Sequence, residues 1–133
     1  MNQQLIDIAD IVIKELKAKG FTIHRYDAYS TDSIYLKLDY GVCNSIRISD
    51  HKGKAYLKYR YNVILNVNTQ LLNDKYPRYY YNQNSIKGMI NRIISDRSQK
   101  IERYGQVAYN NFMRQNNQQS TDKKGFWTQA KLI

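Results

Sequence analysis

The chain has 133 residues, enough for one domain around one core, and its 42% apolar and 24% charged residues are ordinary for a globular protein, which excludes wholesale disorder. Its single cysteine, Cys43, excludes an internal disulfide and a cysteine-based zinc cluster and fits a reducing compartment. The net charge of +10 is uneven: residues 1–53 hold seven basic and seven acidic side chains, residues 54–133 fourteen and four, so the second half calls for a partner dense in negative charge, most commonly nucleic acid.

The first residues, Met1 to Asp10, lack a basic leader and mix acids with apolar side chains, a pattern of neither a signal peptide nor a membrane span, so a cytoplasmic location is expected. Leu5, Ile8, Ala9, Val12 and Leu16 fall at helical spacing, with Ile6 and Ile13 widening the stripe and Asp7, Asp10, Lys14, Glu15 and Lys17 opposite. This predicts an amphipathic helix over about residues 3–19, closed by Gly20 as a left-handed cap.

From Phe21 the period changes to two. A less regular strand is expected from Phe21 to about Tyr29, then a stronger one in which Ile34, Leu36, Leu38 and Tyr40 share a face and Tyr35, Lys37 and Asp39 take the other. Residues 41–44 are the expected turn into a third strand with Ile46 and Ile48 inward and Arg47 outward. A long strand is expected from about Lys54 to Asn66, with Leu57, Tyr59, Tyr61, Val63 and Leu65 inward and Tyr56, Lys58 and Arg60 outward.

The stretch 73–82 holds the only proline, Pro77, and three consecutive tyrosines, 79–81. It reads as a connecting loop in which at least one tyrosine packs inward. Asn84 or Ser85 then caps a helix whose apolar positions are Ile86, Met89, Ile90, Ile93, Ile94, Ile101 and Tyr104, with Lys87, Arg92, Arg97 and Lys100 outward. Gly105 leaves open whether that helix continues toward Phe112 or breaks. The expected fold class is α+β: an N-terminal helix, an antiparallel sheet of three or four strands, and a C-terminal helix or helices packed on one sheet face. Residues 1–115 are expected to form one domain, and residues 116–133 a polar, mobile tail.

Two basic groups stand out. Tyr35, Lys37, Arg47, Tyr56, Lys58 and Arg60 fall together on the sheet face away from the helices, a mixture that neutralises phosphates and stacks on unpaired bases. The same pattern also arises where cross-strand pairs merely stabilise an exposed sheet. Arg78, Arg92, Arg97 and Lys100 form the second group, suited to a phosphate backbone or an acidic protein groove. Catalytic chemistry is poorly supplied. His24, His51 and Cys43 form no recognisable pair, and Ser49-Asp50-His51 offers an acid and a base in a segment of ordinary turn composition. No metal-ligand spacing, phosphate-binding glycine loop or dinucleotide motif is present, so no metal or cofactor is expected.

The layout of a helix, Lys17-Ala18-Lys19-Gly20-Phe21-Thr22-Ile23, three strands and a helix, over about residues 8–100, resembles double-stranded-RNA-binding folds and the HicA toxin ribonucleases. Those toxins place a catalytic histidine after a glycine on the strand that here reads Ser33-Ile34-Tyr35-Leu36, where no histidine stands. The richness in Lys, Asn, Ile and Tyr and the run from Ser45 to Gly53 also resemble small accessory proteins of phages and mobile elements of low-GC Gram-positive bacteria, anti-CRISPR proteins among them. That resemblance implies a non-enzymatic inhibitor in the host cytoplasm that docks on a nucleoprotein nuclease of the host defence or on its RNA or DNA. The alternatives are a HicA-like ribonuclease using His51 and a protein-interaction module anchored by Phe126 and Trp127.

Overall fold

A computed structural model describes residues 1–49, 59–62, 78–118 and 129–133. The fold is α+β. Helix α1 (Gln3–Ala18) is followed by strands β1 (Ile23–Ala28), β2 (Ser33–Leu38), β3 (Gly41–Ser49), β4 (Tyr59–Asn62) and β5 (Arg78–Tyr81), then α2 (Ile86–Tyr104), α3 (Gln106–Gln118) and a short strand β6 (Lys131–Leu132). All strand pairs are antiparallel, in the order β5-β4-β3-β2-β1-β6.

Helix α1 forms as its periodicity dictates. Asn2 caps it by accepting from the Gln4 amide at 2.8 Å, and Gly20 at φ 91° turns the chain away. Its face of Leu5, Ile8, Ala9, Val12 and Leu16 buries against Ile34, Leu36, Leu38, Ile46, Ile48, Tyr59 and Tyr61 of the sheet and Met89, Ile90 and Ile93 of α2. Each such aliphatic side chain, fully buried, contributes about 1.5–3 kcal/mol. Among the described residues no helix is long and apolar enough to cross a membrane.

Among the described residues six strands replace the three or four expected, because two short segments join the sheet. Residues 78–81, expected as loop beyond Pro77, form β5: Tyr79 and Tyr81 stand opposite the buried Tyr61 and Tyr59 and pack against the core, so the triplet obeys the period of two that the proline and flanking polar residues obscure. The chain end, expected within a mobile tail, supplies β6 against β1, with Leu132 opposite His24. Phe126 and Trp127 lie outside the described residues, as do residues 50–58 and 63–66 of the expected turn and long strand, Leu57, Val63 and Leu65 among them.

The β2–β3 turn also differs. Asp39 and Tyr40, at φ 52° and 69°, are its two left-handed central residues, and β3 begins at Gly41 rather than after Asn44. A left-handed tyrosine costs about 1 kcal/mol. It is held by the Asp39 carboxylate, which accepts from the Thr22 amide at 3.1 Å, Arg97 Nε at 2.7 Å and the Tyr109 hydroxyl at 2.6 Å. The Tyr40 ring itself packs edge-on to His24 and under the Arg114 guanidinium.

Gly105 settles the C-terminal half. At φ 89° and ψ 155° it occupies a region essentially closed to other residues, ending α2 and letting α3 fold back. Tyr109, Phe112 and Met113 of α3 then build a second apolar cluster with Ile101 and Tyr104. Ser85 is the N-cap residue of α2, one of the two expected, but its side chain makes no cap bond to that helix; it closes a capping box with Asn82 across the preceding 3-10 turn instead.

Candidate nucleic-acid interface

Strand parity sends Ile23, Leu36, Ile46 and Tyr61 to the helices, and their neighbours to the opposite face. The register then aligns those neighbours. Tyr26 stands opposite Tyr35, Tyr35 opposite Arg47, Arg47 opposite Arg60, and Arg60 opposite Tyr80. One row, Tyr-Tyr-Arg-Arg-Tyr, therefore crosses five strands, a span of about 19 Å at the usual strand spacing. Beside it runs a second row holding His24, Lys37 and Ser45, with Arg78 opposite Asn62 at its far end.

This face is more enclosed than a solvated surface. Tyr26, Tyr35, Arg47 and Arg60 are half-buried, Lys37 is only 5% exposed, and Tyr80 is 42% exposed. Ser33 and Ser49 are buried and share a hydroxyl–hydroxyl bond of 2.7 Å. Burial lowers the Lys37 pKa. It also lowers that of His24, with the Lys37 charge adding to the effect.

The electrostatics concentrate at Arg60. Burial, then the charges of Arg47 and Arg78, lower the pKa of its guanidinium, and the Tyr80 phenol acts in the opposite sense. Arg60 Nε is buried without a hydrogen-bond partner. Among the described residues no carboxylate lies within ion-pair distance of Arg60 or Arg78. Positive charge is thus gathered in a partly desolvated place where like charges repel, and an anion seated there offsets both costs.

Of the residues singled out from the sequence, Tyr35, Lys37, Arg47 and Arg60 come together on this face, with Arg78 at its β5 edge. Tyr56, Lys58 and the Asp50-His51 pair lie outside the described residues. Arg92, Arg97 and Lys100 belong to α2, on the other side of the sheet, and the outward, solvated placement expected of Arg97 and Lys100 is corrected. Arg97 is bound to Asp39, reaches the Gly20 carbonyl at 3.4 Å and lies over the Phe21 ring. Lys100 is buried at 5% exposure. Arg92 is partly exposed, 3.7 Å from the centre of the Tyr79 ring and 3.7 Å from Asp96. These contacts tie α2 to the sheet, because a long helix over a sheet edge brings its basic side chains within reach of the carboxylates and rings beneath it.

Sequence reasoning missed Tyr26 and Tyr80 as members of the row. Tyr26 was legible from parity, since Ile23 is buried and Tyr26 falls on the opposite phase. Tyr80 required the strand hidden behind Pro77. Among the described residues no group of three or more His, Cys, Asp or Glu side chains is placed to hold a metal ion. No family model matches the chain, and comparison with curated proteins and with solved structures found no match.

Proposed function

We propose that the protein is a non-enzymatic binder of single-stranded or looped nucleic acid, which it holds on the sheet face opposite the helices. The observation that carries this reading is the row Tyr26, Tyr35, Arg47, Arg60 and Tyr80. Rings supply sequence-tolerant stacking platforms and guanidinium groups supply phosphate neutralisation, the two elements such binding requires. A sheet of this width accommodates about two or three stacked bases. A duplex, whose bases are already stacked, gains only the charge term. Joined to the resemblance to phage and mobile-element inhibitors, the reading places the bound strand within a host defence nucleoprotein.

The test is a titration of labelled single-stranded RNA, single-stranded DNA and duplexes at about 50 and 200 mM salt. Tighter binding of the single strands, weakening steeply with salt and lost on Arg47→Glu/Arg60→Glu, supports the proposal. Absence of single-strand binding at the lower salt overturns it.

A further inference from the structure

We infer that Arg60 and Arg78, with the Tyr80 hydroxyl, form a phosphate subsite at the β4–β5 end of the sheet face. The inference rests on reading that face as a nucleic-acid site and divides the labour within it. Tyr26 and Tyr35, on β1 and β2, form the stacking end, and the arginines on β4 and β5 form the anion end.

Three observations converge on this end of the sheet. Arg60 and Tyr80 are register partners, and Arg78 lies two residues before Tyr80 on the same strand and so on the same face. Arg47 stands opposite Arg60, and Arg78 opposite Asn62 two residues along β4, so the three cations share one face of adjacent strands, where burial and then the charges of Arg47 and Arg78 lower the Arg60 pKa. Finally, Arg60 Nε is buried with an unspent donor, and Arg78 and Tyr80, both exposed, leave the subsite open at the sheet edge. A guanidinium presents paired N–H donors in a fork that matches two oxygens of a phosphoryl group, and a phenol adds a third donor. A tetrahedral dianion or a phosphodiester satisfies these donors and screens the repulsion between the cations. A planar apolar ligand does neither. The phosphate has two sources, an internal phosphodiester or a terminal monoester of the strand, and both present the same non-bridging oxygens.

The experiment uses the full chain and inorganic phosphate as the probe. The 31P resonance of phosphate is followed on titration of protein at constant ionic strength, for the wild type and for Arg60→Gln, Arg78→Gln and Tyr35→Ala. Folding of each is checked by its circular dichroism. A saturable shift in the wild type and in Tyr35→Ala, weakened about tenfold or more in each arginine variant, is the expected result. A wild-type resonance that does not move, or arginine variants that titrate like the wild type, overturns the subsite.

A parallel titration with 5′-phosphorylated and 5′-hydroxyl single strands separates the sources. Preference for the phosphorylated strand that disappears in Arg60→Gln assigns a terminal phosphate, and equal binding that is weakened in Arg60→Gln assigns a phosphodiester. The two readings fail separately. Phosphate binding at Arg60 without oligonucleotide binding leaves the subsite standing and removes the nucleic-acid function. Oligonucleotide binding that depends on Tyr35 but on neither arginine does the reverse.

Discussion

Arg47 on β3 stands directly opposite Arg60 on β4, so two basic side chains leave the same sheet face as cross-strand neighbours. Directly opposed like charges cost a sheet about 0.2–1 kcal/mol, an arrangement that stability alone does not favour. Arg60→Leu is therefore expected to raise the thermal midpoint slightly, by roughly the equivalent of 0.5 kcal/mol, while weakening single-strand binding. Thermal denaturation of the free protein and a binding isotherm on the same samples check both halves. Loss of stability together with loss of binding would mark Arg60 as structural.

Tyr35 sits between Tyr26 and Arg47 in the row. Tyr35→Ala is expected to cost about 1–3 kcal/mol of single-strand affinity, the worth of one stacked base, with little effect on duplex affinity. Tyr35→Phe should retain most of the affinity, because the ring face is what a base meets. Fluorescence anisotropy with matched single-stranded and duplex probes reads the difference.

Asp39 holds three separate elements: the segment after α1 through the Thr22 amide, α2 through Arg97 and α3 through the Tyr109 hydroxyl. It also anchors a turn with two left-handed residues. Asp39→Ala leaves Arg97 and Tyr109 without their acceptor and is expected to cost about 3 kcal/mol, the order found when one partner of a buried ion pair is removed. Tyr109→Phe, which removes one hydrogen bond and keeps the ring, should cost about 1 kcal/mol. Urea denaturation with unchanged slope is the measurement.

His24 has its pKa lowered, first by burial and then by Lys37. The folded state therefore binds a proton less readily than the unfolded chain, whose histidine titrates near 6.5. This contribution to stability is fully present above that value and is lost as pH falls through the interval between the unfolded and the lower folded pKa. Stability between pH 7 and 5 should fall less steeply in His24→Gln than in the wild type. Identical slopes in chemical denaturation across that range would contradict the assignment.

Gly105 joins α2 to α3 at φ 89° and ψ 155°. An added Cβ meets nothing within 4 Å, so Gly105→Ala tests backbone strain alone, with an expected cost of about 1–3 kcal/mol. A cost near zero would mean that the α2–α3 corner adopts a different path.

The sequence was most informative where one period ran uninterrupted. The stripe from Leu5 to Leu16 marks α1, and the alternation of Ile34, Leu36, Ile46 and Ile48 marks the central strands and, by exclusion, the face carrying Tyr35, Lys37, Arg47 and Arg60. It was least informative where one tertiary contact decides the outcome. The turn moved to Asp39 and Tyr40 because Arg97 and Tyr109, distant in sequence, hold the Asp39 carboxylate. Arg97 left its expected outward position for the same reason. The strand at residues 78–81 exists because Tyr79 and Tyr81 find buried partners on β4, a pairing that local propensity around Pro77 does not encode.

The most direct test of the central claim is amide chemical-shift mapping of the full chain on titration with a short single-stranded oligonucleotide at low salt. Shifts at Tyr26, Tyr35, Arg47, Arg60 and Tyr80, with α1 and α2 unaffected, are the expected result. Shifts confined to the helices, or none at saturating oligonucleotide, would contradict the assignment of the sheet face as the binding surface.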